Sequence, residues 1–183
     1  MHSQDRARTR LLFVSGNPFV AGLARTMLRD TGFSAFREAS SVALAHEMLR
    51  REPFGAVICD WHMVDGSCID LLRRLRDGTM GRIAMIPVIV MHGGASRREV
   101  VATARAGAND VLVKPFSQNA LERKVLTALI EKRALIRTPA YTGPAPREAL
   151  IAYLTNRLRR QIPRREREDV EFIAQQANDA VLL

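Results

Sequence analysis

The sequence predicts an α/β fold: a five-stranded parallel sheet wound on both faces by five helices, followed by a C-terminal helical hairpin. Three observations carry this. Short apolar runs alternate with helical-period segments five times along the chain, the order that builds parallel sheets covered by helices. The runs are apolar at consecutive positions rather than at every second one, which suits strands buried on both faces. The chain has 183 residues, enough for one domain of ordinary size and an appendage too small to be a second large domain.

The strong strand candidates are Leu11–Val14, Ala56–Cys59, Pro87–Met91 and Val111–Val113, with a weaker one at Phe33–Phe36. Between and after them, apolar residues recur every three or four positions over 18–30, 41–51, 67–77, 96–106 and 117–136, which predicts five helices. The domain so defined spans 10–136. Residues 137–146 hold three prolines and a glycine and read as a linker. Residues 147–183 read as a helical extension. Its first helix carries Leu150, Tyr153, Leu154 and Leu158 on one face, and its second opens at Pro163 and buries Val170, Ile173, Ala177 and Val181.

Composition excludes several classes. Two cysteines, Cys59 and Cys68, are too few for a disulfide framework, and no N-terminal segment joins a basic start to a long apolar run. No stretch is long and apolar enough to span a membrane, so a soluble cytoplasmic protein is expected. The net charge is +9, with 21 Lys and Arg against 13 Asp and Glu up to residue 137, and 7 against 6 beyond it. The excess lies on the main domain. The elbow of the extension, 157–167, adds six arginines and one glutamate. A solvated basic face, a protein-docking or dimer surface and a minimal DNA contact are its three readings. DNA is disfavoured, because a helical pair usually needs a third helix to bury its core and the second helix here is acid-rich.

In an open parallel sheet, ligands sit at the carboxyl ends of the strands. Here those ends carry Ser15, Gly16 and Asn17 after the first strand, Asp60 after the third, His92 with Gly93 and Gly94 after the fourth, and Lys114 with Pro115 after the fifth. A carboxylate ending an apolar strand is costly to bury unpaired, and Lys114 is the obvious partner for Asp60. Such a pair is as readily structural as catalytic.

The runs Val57-Ile-Cys-Asp60-Trp-His-Met with Asp65-Gly66 behind it, Ile86-Pro-Val-Ile-Val, and Ala106-Gly-Ala-Asn-Asp110-Val-Leu-Val-Lys114-Pro-Phe116 resemble those of response-regulator receiver domains, the family of the bacterial chemotaxis regulator. The resemblance implies a flavodoxin-like fold and a role in two-component phosphorelay signalling. It makes Asp60 the phosphoacceptor and Lys114 the phosphoryl-contacting lysine, with a cis Lys114–Pro115 bond. In that family an acid pair after the first strand joins the phosphoacceptor in holding Mg²⁺. Those positions fall on Ser15 and Gly16, with an optional third acid at Asn17, so the magnesium ligands are missing and no cofactor is expected.

Other departures follow the same resemblance. His92 stands where the family has a hydroxyl that contacts the phosphoryl group, and Val111 stands where it has a switch aromatic. The loop from Asp60 to Gly66 is about two residues shorter than usual. His92 is expected to hydrogen-bond Asp60, directly or through one water, and fill the emptied pocket. A transition-metal site built from His92, His62, Asp60 and Cys68 is the sharper alternative. Cys59 is expected to point into the core and Trp61 to sit beside the pocket.

The function this implies is a stand-alone, atypical receiver that is not an enzyme and acts through protein contact with weak or no magnesium-dependent phosphorylation. Its expected partner is a signalling protein, with a histidine kinase as one candidate and a homodimer through the fourth helix, fifth strand and fifth helix, or through the tail, as another. A transcription regulator with a DNA-contacting tail and a conventional switch phosphorylated at Asp60 are the alternatives.

Overall fold

The structure, a computed structural model, describes residues 1–145 apart from 95, 132, 139 and 140. The expected helical extension, 147–183, with its basic elbow, lies outside the described residues. Five strands form one parallel sheet: β1 (Leu11–Val14), β2 (Phe36–Ala39), β3 (Ala56–Asp60), β6 (Val88–His92) and β7 (Asp110–Val113), in the order β2-β1-β3-β6-β7. Side chains alternate between the two faces. Leu12, Val14, Val57, Cys59, Val88 and Val90 enter one core layer, and Leu11, Phe13, Ala56, Ile58, Ile89 and Met91 enter the other.

The first layer is closed by α3 (Val42–Arg51), α4 (Cys68–Arg76) and the inner side of α5 (Arg97–Arg105); the second by α2 (Pro18–Arg29) and α6 (Gln118–Ile130). The helices form where the apolar spacing predicts, and local chemistry sets their starts. Asn17, Ser41, Ser96 and Ser117 each place a side-chain oxygen on an N–H of the first turn. Among the described residues, no helix is long and apolar enough to cross a membrane.

Four features differ from the sequence expectation. A short helix, α1 (Ser3–Arg8), precedes the sheet, tied down by Arg6, which donates to Thr31 O and pairs with Glu122 at 2.7 Å. The second strand starts at Phe36 rather than ending there, because Phe33 is fully buried from the turn that follows α2 and leaves an edge strand of mixed burial to pair with β1. The loop after β3 forms a small antiparallel pair, β4 (His62–Met63) with β5 (Gly66–Ser67).

The largest difference is at the end of the domain. The helix expected over 117–136 stops at Ile130, and the stretch read as a linker takes part in an antiparallel pair, β8 (Leu135–Thr138) with β9 (Tyr141–Pro144). A buried arginine explains why this pair is held to the domain. Arg76 is 2 % exposed, and its guanidinium donates to the carbonyls of Ala84, Ile86 (2.9 Å) and Gly107 (3.1 Å). Burial lowers its pKa to about 10, an effect that the phenol of Tyr141 beside it partly offsets, so the group keeps its charge at neutral pH. Tyr141 in turn donates to Pro144 O at 2.8 Å.

Two glycines make room for this cluster. A Cβ at Gly107 would lie 2.6 Å from the Tyr141 hydroxyl, and one at Gly143 would lie 2.5 Å from Arg76 Cδ. Gly107 also has φ +92, a conformation that side chains resist. Gly143→Ala is therefore expected to cost about 1–3 kcal/mol, since the buried Arg76 cannot step aside. Gly93→Ala, where a Cβ would meet nothing within 4 Å, is the control. Urea midpoints compare the two, and equal midpoints would mean that the β8–β9 pair is not packed on Arg76.

Candidate functional site

The site forms at the carboxyl ends of the central strands. Register places Val14 of β1 opposite Cys59 of β3, so the next residues, Ser15 and Asp60, emerge side by side. Asp60 is 9 % exposed, and both of its carboxylate oxygens are engaged. Lys114, at the end of β7, pairs with Oδ1, and the Ser15 hydroxyl donates to Oδ2 at 2.8 Å. The Ser15 oxygen also accepts the N–H of Asn17 at 3.1 Å. The expected ion pair is present, and the Lys114–Pro115 bond is cis.

Ser15 is the partner that sequence reasoning missed. The sequence expectation gave His92 the second contact with Asp60, directly or through one water; among the described residues neither imidazole nitrogen has a direct hydrogen-bond partner. His92 instead stacks on Trp61, ring centroids 4.5 Å apart, while it is only 3 % exposed. The serine hydroxyl wins because strand register brings it to the carboxylate, whereas the indole holds the imidazole aside. The signal for Ser15 was its place one residue past the first strand, beside the residue that ends the third.

The remaining strand-mouth residues have structural roles. Asn17 caps α2, its Oδ1 accepting from Phe19 N at 3.0 Å. Gly16 is exposed, and a Cβ there would lie 3.3 Å from a Val64 methyl. Val111 is buried in β7 and brings no aromatic ring to that strand. Cys59 points into the core as expected, and burial pushes its thiol pKa up, as it does for Cys68.

Neither metal idea fits this donor set. One carboxylate with both oxygens engaged, a hydroxyl, a glycine and a capping amide make a poor cage for magnesium, which is held through carboxylates. For a transition metal, no three His, Cys, Asp or Glu side chains gather closely enough among the described residues. The cluster of His92, His62, Asp60 and Cys68 is therefore not assembled.

His92 makes the site sensitive to pH. Desolvation lowers its pKa below the ordinary 6.5; Glu99 and Asp60 pull it up, and His62 and Lys114 push it down. Between the lowered and the ordinary values, the unfolded chain binds a proton that the folded chain refuses. Stability should thus be full above pH 6.5 and fall as the pH drops below it. His92→Phe, which keeps the stack and removes the titration, is expected to lose less stability in that window. Equal losses in urea titrations would show that His92 is freely protonated.

Comparison with known proteins agrees with this geometry. The pattern of the response regulator receiver domain matches residues 11–126. The chemotaxis protein CheY-3 of Vibrio cholerae is 31 % identical over 116 residues, 63 % of this chain and 88 % of the relative. CheY of Pseudomonas aeruginosa is 32 % identical over 116 residues, covering 63 % and 92 %. Among solved structures, a response regulator from Chloroflexus aurantiacus superposes with a TM-score of 0.63 at 27 % identity, covering 67 % of this chain and 98 % of that one. The receiver domain of the sensor histidine kinase PA1611 of Pseudomonas aeruginosa, solved with magnesium in its active-site cleft, gives 0.60 at 24 % identity, covering 67 % and 98 %. With the sheet order and the match across 11–126 in agreement, the chain belongs to the response regulator receiver domain family.

Proposed function

We propose that this protein is an atypical receiver that signals by protein contact in one fixed conformation, with weak or no magnesium-dependent phosphorylation of Asp60. The observation that carries the reading is the engagement of both Asp60 oxygens, by Lys114 and by Ser15. Accepting a phosphoryl group needs a free carboxylate oxygen and positive charge to meet the transferring group. Asp60 and Lys114 together sum to about zero charge, so little is left here to attract a divalent cation. Ser15, Gly16 and Asn17 offer none of the carboxylates that would hold one.

The readout supports the same view. A modification shifts a conformational equilibrium only if it contacts two states differently. The hydroxyl and the aromatic ring expected to make that difference are here His92, turned onto Trp61, and the buried Val111. On this reading a signalling partner, a kinase or a second copy, binds a face already in its working shape. That face is α5, β7 and α6, or the extension beyond residue 146. The protein is a signalling module rather than a turnover enzyme.

One observation favours a second reading, a conventional switch: Asp60 and Lys114, to which the resemblance gives the phosphoacceptor and phosphoryl-contacting roles, stand in contact. Two experiments separate the readings. Trp61 lies against the pocket, so its fluorescence reports on cation entry; no saturable quench is expected at millimolar magnesium, and a saturable sub-millimolar one favours the switch. In cells, Asp60→Asn is expected to complement a deletion. If it behaves like the deletion while kinase overproduction activates the wild type, phosphorylation is required and the fixed-conformation reading fails.

A further inference from the structure

Asp65 has a role that neither the ion pair nor the family pattern describes. It lies in the turn between β4 and β5, yet its carboxylate leaves that loop for helix α3. Oδ1 accepts from Val42 N at 2.8 Å and Oδ2 from Ala43 N at 3.0 Å. The Ser41 hydroxyl accepts from Leu44 N at 3.0 Å, so the first three N–H groups of α3 are all satisfied, two of them by a residue more than twenty positions away. The first turn of α3 contains no acidic residue of its own, and Asp65 supplies the negative charge that a helix N-terminus favours. These two backbone bonds hold its pKa below the usual carboxylate range.

The other end of the same short loop is fixed to the pocket. Trp61 N donates to Met91 O at 2.9 Å, Trp61 O accepts from Cys68 N at 3.0 Å, and the indole lies on His92. The β4–β5 pair joins His62 to Ser67 and Met63 to Gly66. Four residues separate Asp60 from Asp65, and the loop pairing leaves them little slack to absorb a displacement.

We infer that Asp65 is a positioning residue that couples the Asp60 pocket to the N-terminus of α3 through the β4–β5 loop. The route runs along covalent chain, a paired loop and two hydrogen bonds. It does not pass through Val111, and leads to a different face from α5, β7 and α6. Coupling of this kind is reciprocal: releasing Asp65 must loosen the pocket as much as disturbing the pocket loosens α3.

The test uses the full chain, unphosphorylated, and reads amide exchange by NMR together with urea midpoints. Lys114→Ala disturbs the pocket without touching α3. Exchange at Val42 and Ala43 is expected to rise several-fold, while Leu44, held by Ser41, changes less. Combining Asp65→Ala with Lys114→Ala should shift the midpoint by less than the two separate shifts together, because the first change has already loosened what the second removes. Asp65→Asn, which keeps one acceptor oxygen, should restore part of the coupling. Should Lys114→Ala not fold, Asp60→Asn disturbs the same pocket and takes its place. Unchanged exchange at Val42 and Ala43, or strictly additive shifts, overturns the inference. A purely local cap would change exchange in Asp65→Ala but not in Lys114→Ala. Because no step involves phosphate, the outcome is independent of whether Asp60→Asn retains function in cells.

Discussion

The molecule is organised around one carboxylate held at the mouth of a parallel sheet. A charge ending an apolar strand is tolerated only when its oxygens are met, because leaving a buried charge uncompensated costs several kcal/mol, on the order of 3–5 when one partner of a buried pair is removed. Here the two partners come from either side of β3. Ser15 arrives by register on the neighbouring strand β1, with no adjustment of the chain. Lys114 ends β7, which is separated from β3 by β6, and only a long flexible side chain spans that gap. A short side chain next door and a long one two strands away are what the sheet order allows. The order β2-β1-β3-β6-β7 is therefore a condition of the site as well as of the core.

Around that fixed point, the groups at neighbouring strand ends take structural work. Asn17 becomes a helix cap, Gly16 a close approach to the β4–β5 loop, and His92 a ring stacked on Trp61. Each arrangement is locally ordinary, and together they consume the polar groups at the strand mouth. The exception is His92, whose two buried nitrogens lack direct partners among the described residues. An unsatisfied imidazole at this depth is expensive, and the stack on the indole returns part of that cost through ring contact.

Much of the domain was legible from residue pattern because the two strongest signals, apolar runs and helical spacing, report burial, and burial decides this architecture. Four of the five strands, the five covering helices and the facing pair Asp60–Lys114 followed from it. What escaped were features decided by geometry between distant residues. Ser15 looked like a lost ligand rather than a hydrogen-bond donor, since register between strands is not written in either strand alone. Asp65 entered only as part of the run behind Asp60, because its targets, Val42 and Ala43, lie on another element. Arg76 did carry a signal. It falls four residues after Leu72 and next to Leu75, on the apolar side of α4, but a charged residue there reads as a helix end turning to solvent. The β8–β9 pair was hidden by its prolines and glycine, which argue for a linker until Gly143 is seen to make room for a buried arginine.

That buried arginine also carries the packing past the end of the family pattern. The family pattern ends at residue 126, and the sheet and its helices are complete by Ile130, so a natural place to divide the gene would be just beyond. A division there would open Arg76 to water on one side while leaving its carbonyl contacts in place, turning a buried cation into a solvent-facing hole beside α4 and the turn at Gly107. For chimeras that graft this receiver onto another output, the portable module has to carry Tyr141 and Gly143 with it. Among the described residues, packing therefore runs about twenty residues past the end suggested by homology.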